Sequence, residues 1–74
     1  MADDYYYLED TNNSLYLKDF FGFDPLMTGD IVEAEAFYDL SLARAARTNA
    51  EHTGFNLTIF DRDGEEIQWF QQIF

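Results

Sequence analysis

The hydrophobic period of this chain switches once in its second half, and that switch constrains the fold more than any other feature. From Leu42 to Thr53 the apolar side chains Leu42, Ala43, Ala46 and Ala50 recur every three to four residues, which is the spacing of one helix face. Asp39 or Ser41 can cap that helix at its start, and Gly54 fits the left-handed position just past its end. Arg44, Arg47 and Glu51 are expected to project outward. From residue 55 the period is two. Phe55, Leu57 and Ile59 alternate with Asn56, Thr58 and Phe60, and Ile67 and Trp69 alternate with Gln68 and Phe70, as in half-buried strands. Between these runs lies Asp61-Arg62-Asp63-Gly64, where Asp-Gly is a strong hairpin signal. Upstream, Val32, Ala34 and Ala36 alternate with Glu33 and Glu35. That pattern predicts a strand over 31–37 whose small inner residues let the helix pack closely. The order is strand–helix–strand–strand. It is an α+β fold with a small antiparallel sheet and one main helix on one face.

The N-terminal part is acidic and aromatic. Asp3-Asp4-Tyr5-Tyr6-Tyr7-Leu8-Glu9-Asp10 leads into the turn-like Thr11-Asn12-Asn13, and tyrosines favour a short strand before it. In 14–21, Leu15 and Leu17 alternate with Tyr16 and Lys18, as in a strand. However, Asn13 or Ser14 as cap, Gly22 as stop and the shared face of Leu17, Phe20 and Phe21 favour a short helix. Phe23-Asp24-Pro25 and Thr28-Gly29-Asp30 bracket a loop. Phe60 and Phe70 fall on the sheet face away from the main helix. Tyr5, Tyr7, Phe20 and Phe21 of the N-terminal segment are expected to cover them.

Seventy-four residues make one domain, 1–74, with a small core that the fourteen aromatic side chains help to fill. That aromatic content sets the chain apart from disordered acidic tails. There is no cysteine, hence no disulfide and no thiolate metal site. The N-terminus lacks a basic and apolar leader pattern, and no run approaches the roughly 18 apolar residues of a membrane span. A cytoplasmic protein is expected, in which the sequons at Asn12 and Asn56 are accidental.

Charge is the feature that speaks to function. Fifteen acids against four bases give −11, and the first forty residues hold ten of the acids and only Lys18 as a base. Such a chain repels phosphates and does not itself bind nucleic acid. It suits a basic partner. Catalysis has little to stand on. His52 is the only histidine and sits near the helix C-terminus, where the dipole favours a cation. Glu33 and Glu35 would stand about 6.7 Å apart on a strand face, but that face is solvated rather than a cleft. The segment Asp61–Glu66 resembles part of a calcium loop without its remaining ligands, and a hairpin turn explains it. No enzyme, cofactor or metal is expected. The candidate partner-binding residues are Asp3, Asp4, Glu9, Asp10, Asp24, Asp30, Glu33, Glu35 and Asp39, with Tyr5, Tyr6 and Tyr16 as aromatic anchors at the rim.

A short, acidic, cysteine-free strand–helix–strand–strand chain with the helix Leu42-Ala43-Arg44-Ala45-Ala46-Arg47 and a terminal hairpin over 55–67 resembles the small phage anti-CRISPR proteins. It is most similar to those directed at type I complexes. The resemblance implies a stoichiometric inhibitor acting in the host bacterial cytoplasm. Its acidic surface would mimic DNA, fill the Lys/Arg-lined PAM-binding site of a Cascade-type complex and block target binding. The alternative is an antirestriction or antitoxin-like module for another basic bacterial protein.

Overall fold

The structure is a computed structural model and describes residues 4–67. Asp3, Trp69, Phe70 and the end of the chain lie outside the described residues. Four strands form one antiparallel sheet in the order β3-β2-β1-β4, from β1 (Tyr6–Asp10), β2 (Leu15–Phe21), β3 (Asp24–Thr28) and β4 (Thr58–Asp61). One helix, α1 (Leu40–Glu51), covers one face. The α+β architecture is as the sequence predicts, but the first half of the chain builds more of the sheet than expected.

The helix obeys its local signals. The Asp39 carboxylate accepts from the Ser41 amide at 3.0 Å and from its hydroxyl at 2.9 Å, satisfying an amide that the first turn leaves unpaired. At the other end the Phe55 amide donates to Ala50 O and the Gly54 amide to Glu51 O, both at 3.0 Å. Gly54 has φ +92. This is the Schellman arrangement, with the glycine where its missing Cβ is needed. Ala43, Ala46 and Ala50 are buried against Leu8, Leu17, Leu57 and Ile59. Alanines on the helix let its axis approach the sheet, so three large side chains (Leu8, Leu17, Ile59) fill the centre of the core. Burying each stabilises by about 1.5–3 kcal/mol. Leu42, expected in the apolar stripe, is exposed, and Arg44 and Arg47 are half-buried rather than fully outward, each with its Nε shielded from solvent.

Residues 15–21 are a strand and not a helix. Leu17 inserts into the core while Tyr16 and Lys18 turn away, so the period-two pattern prevails. Gly22, with φ +67, opens a two-residue turn joining Phe21 to its partner Asp24. Glycine at the first position of such a turn takes a conformation that suits hairpin twist. Ser14 does not cap a helix. It sits at φ +55 in the β1–β2 turn. The expected loop after Phe23 is β3, an edge strand, where Pro25 is tolerated because one side of the strand is unpaired.

The strand expected over 31–37 does not form. The Asp30 carboxylate accepts from the Val32 amide at 3.0 Å, and Ile31–Glu33 closes into a 3₁₀ turn, a local side-chain bond outcompeting extension. Val32, expected inside, is 86% exposed. What remains of the strand is a wedge. A bulge between Leu17 and Asp19 turns β2 away from β1. Into the gap come Glu35, whose amide donates to Leu17 O at 2.9 Å, and Phe37, which exchanges both backbone bonds with Tyr6 at 2.8 Å.

The Asp61–Gly64 turn is as predicted. The Asp61 carboxylate accepts from the Asp63 and Glu65 amides at 2.9 Å each, Gly64 has φ +82, and the returning chain pairs Phe60 with Glu66.

Candidate interaction surface

The strand pairing decides which acids come together. β1 begins where β2 ends, because Glu9 pairs with Tyr16 and Asp10 with Leu15. β4 ends beside the start of β1, because Tyr6 pairs with Asp61. Phe37, bridged to Tyr6, leads directly into the helix cap at Asp39. One end of the sheet therefore collects Asp4, Asp24 at the β2–β3 tip, Asp39, and the Asp61–Glu66 turn with Asp61, Asp63, Glu65 and Glu66. Asp19 and Glu35 lie along the wedge behind them. The described residues hold fourteen carboxylates and all four Lys and Arg side chains, so most of this charge has no cation to neutralise it.

The predicted residues do not form one track. Asp4, Asp24, Glu35 and Asp39 lie at or just behind this end. Asp10 lies at the opposite end, is 8% exposed, and is spent on folding: its carboxylate accepts from the Asn12 amide at 3.1 Å and from Asn13 Nδ2 at 2.8 Å. Glu9 is half-buried on the open sheet face beside Tyr16. Asp30 is occupied in capping Val32. Glu33 accepts from Thr28 Oγ1 at 2.7 Å and lies 4.0 Å from Lys18 Nζ. Because 31–37 is not a strand, Glu33 and Glu35 share no regular face, and the phosphate-like spacing expected of them is absent. Asp3 falls outside the described residues.

Two carboxyl groups are tuned in opposite directions. The bonds from the Ser41 amide and hydroxyl hold Asp39 below the ordinary aspartate value. Partial burial, followed by the charge of Asp19, pushes Glu35 above the ordinary glutamate value. Asp19 and Glu35 are both exposed acids close enough for the one to raise the other, and such a pair favours an incoming cation.

Aromatic side chains share this end. At the β2–β3 tip Phe21 is 84% and Phe23 85% exposed. Tyr38, 68% exposed, meets the edge of Tyr5 with ring centroids 6.4 Å apart. The sequence reading expected Phe21 to cover the sheet and Tyr5, Tyr6 and Tyr16 to form the rim. Instead Phe21 projects into solvent, Tyr6 packs against the core, and Tyr16 lies beside Tyr7 on the open face, 6.0 Å between centroids. Asp19, Phe21, Phe23, Tyr38 and the Asp61 turn are not among the candidate partner-binding residues of the sequence, although an apolar pair around a glycine turn is a readable sign of an exposed tip.

Among the described residues no three His, Cys, Asp or Glu side chains converge to hold a metal ion, and no helix is long and apolar enough to cross a membrane. His52 is exposed just past the helix. No family model, curated protein or solved structure matches the chain.

Proposed function

We propose that this chain is a binding protein that inhibits a nucleic-acid-binding complex by occupying its cationic site. The observation that carries this reading is the junction, at one end of the sheet, of exposed aromatic rings with carboxylates that outnumber the one cation there, Arg62. Carboxylates steer a basic partner and set orientation, while buried aromatic anchors supply most of the affinity of an interface. A merely soluble domain has no need to expose Phe21 and Phe23 beside Asp24. Together with the resemblance to small phage anti-CRISPR proteins, this points to a type I surveillance complex in the bacterial cytoplasm, with the acidic end standing in for the duplex near the PAM.

The test is competition. A fluorescent PAM-containing duplex is titrated onto a purified type I complex with and without the protein. Equimolar protein is expected to abolish duplex binding, and the charge-reversed variant Asp4→Lys, Asp24→Lys, Asp63→Lys to lose inhibition by about 100-fold or more. Duplex binding unaffected by the wild-type chain would reject the type I target. The same competition run against basic restriction enzymes and toxins would then identify an antirestriction or antitoxin-like role.

A further inference from the structure

We propose that the groove between the first turns of α1 and the wedge at Glu35–Phe37 receives an arginine side chain of the protein partner. The inference rests on the reading of this end of the molecule as the partner-binding surface, and names the group that enters it.

The groove is open to solvent and has a volume of about 530 Å³, enough room for one long side chain. Its floor is apolar, made by Phe20, Phe37 and Ala46, with Leu42 and Tyr38 exposed along one wall. Its rim carries Asp19, Glu35 and Asp39 and no cation. An apolar floor beneath an acidic rim is the complement of one kind of side chain, a long aliphatic stem ending in a positive charge. The exposure of Leu42 at a position where helical periodicity predicts burial has the same explanation, since the stem would cover it. Arginine fits better than lysine. Its planar guanidinium stacks on an aromatic face such as Tyr38 and donates to two carboxylates at once, whereas an ammonium is a compact, strongly hydrated point charge. Asp39 already accepts two bonds from Ser41, and Asp19 accepts one from the Phe20 amide through Oδ1 at 2.8 Å, which leaves Asp19 Oδ2 and Glu35 for the guanidinium.

The experiment titrates the whole chain, ¹⁵N-labelled, with hexa-arginine and hexa-lysine peptides of equal charge at low ionic strength. The peptides act on wild type and on Ala45→Phe, which fills the groove from an exposed helix position without altering charge. Hexa-arginine is expected to bind about fivefold or more tighter than hexa-lysine and to shift the amides of Asp19, Leu42 and Ala46. Ala45→Phe is expected to weaken hexa-arginine about tenfold and leave hexa-lysine within about twofold. Glu35→Gln, which changes no shape, should weaken hexa-arginine by a similar factor. Equal affinities for the two peptides, with Ala45→Phe indifferent to both, would overturn the groove while leaving the acidic surface standing. Failure of both peptides to bind would overturn the groove and the acidic surface together.

Discussion

Tyr7 and Phe60 face each other directly across the β1–β4 pairing, and their rings stack with centroids 5.6 Å apart and planes inclined by 19°. Tyr16 adds a third ring beside Tyr7. This cluster lies on the face away from α1, where a four-stranded sheet this small would otherwise be wetted on one side. Burial and the neighbouring acids Glu9 and Asp61 also push the Tyr7 hydroxyl above its ordinary value. A double-mutant cycle with Tyr7→Ala and Phe60→Ala is expected to give a coupling of about 0.5–1.5 kcal/mol in urea unfolding. Additive losses would mean that the rings merely lie side by side.

That pair was legible in outline, since the alternation through Ile59 places Phe60 on the outer face and Tyr7 was named to cover it. The helix, its cap at Asp39, the Gly54 stop and the Asp61–Gly64 turn were legible because each rests on contacts within a few residues. Residues 14–21 and 31–37 depart from their sequence patterns for two reasons. Their conformation depends on partners distant in sequence or on a competing local bond. Leu15 and Leu17 fit a strand only once β1 and β3 flank them, and Val32 leaves the expected strand because Asp30 captures its amide. Site residues suffered likewise, because charge counting does not reveal that Asp10 and Asp30 are consumed by turns.

Asp10→Ala should therefore be a folding mutation and not a binding one. Its carboxylate satisfies two donors of the β1–β2 turn from a nearly buried position, and losing such bonds costs about 0.5–1.5 kcal/mol each. Chemical denaturation should register that loss, with partner affinity unchanged in the fraction that folds. A variant as stable as wild type but unable to bind would return Asp10 to the interaction surface.

The β2–β3 tip depends on Gly22. Nothing lies within 4 Å of the position a Cβ would occupy, so substitution meets no clash, and only the left-handed backbone at φ +67 opposes it. Gly22→Ala is expected to cost about 1 kcal/mol and to tilt Phe21 and Phe23, weakening the partner complex more than it weakens the fold. A thermal melt paired with a binding titration measures both. Equal losses would make the tip a structural turn alone.

Asp39 and Glu35 give opposite pH signatures. Asp39 has its folded value below the ordinary 3.8, so its contribution to stability is complete above that pH and disappears as pH falls through the folded value. The deficit of Asp39→Ala should thus be constant at neutral pH and shrink in acid. Glu35 has its folded value above the ordinary 4.5, so the folded state holds the proton more tightly. Stability is lost as pH rises through that window and the loss is complete above it. Glu35→Gln is expected to raise the melting temperature slightly at neutral pH, with no gain below the ordinary value, and to weaken binding. Melting profiles across pH for the two variants check both signs.

Ionic strength should separate the two consequences of the unpaired charge. With four cations for fifteen carboxylates, self-repulsion opposes the compact state, and salt relieves it because exposed charges more than about 10 Å apart are screened at 0.1 M. The melting temperature is expected to rise as salt is added. The complex with a cationic partner should respond in reverse, its association rate falling steeply over the same range. Most folded domains of balanced charge show neither trend clearly. A melting temperature that falls with added salt would mean that the carboxylates are held by attraction within the fold, leaving too little free charge at the β2–β3 tip and the Asp61 turn to draw a basic partner.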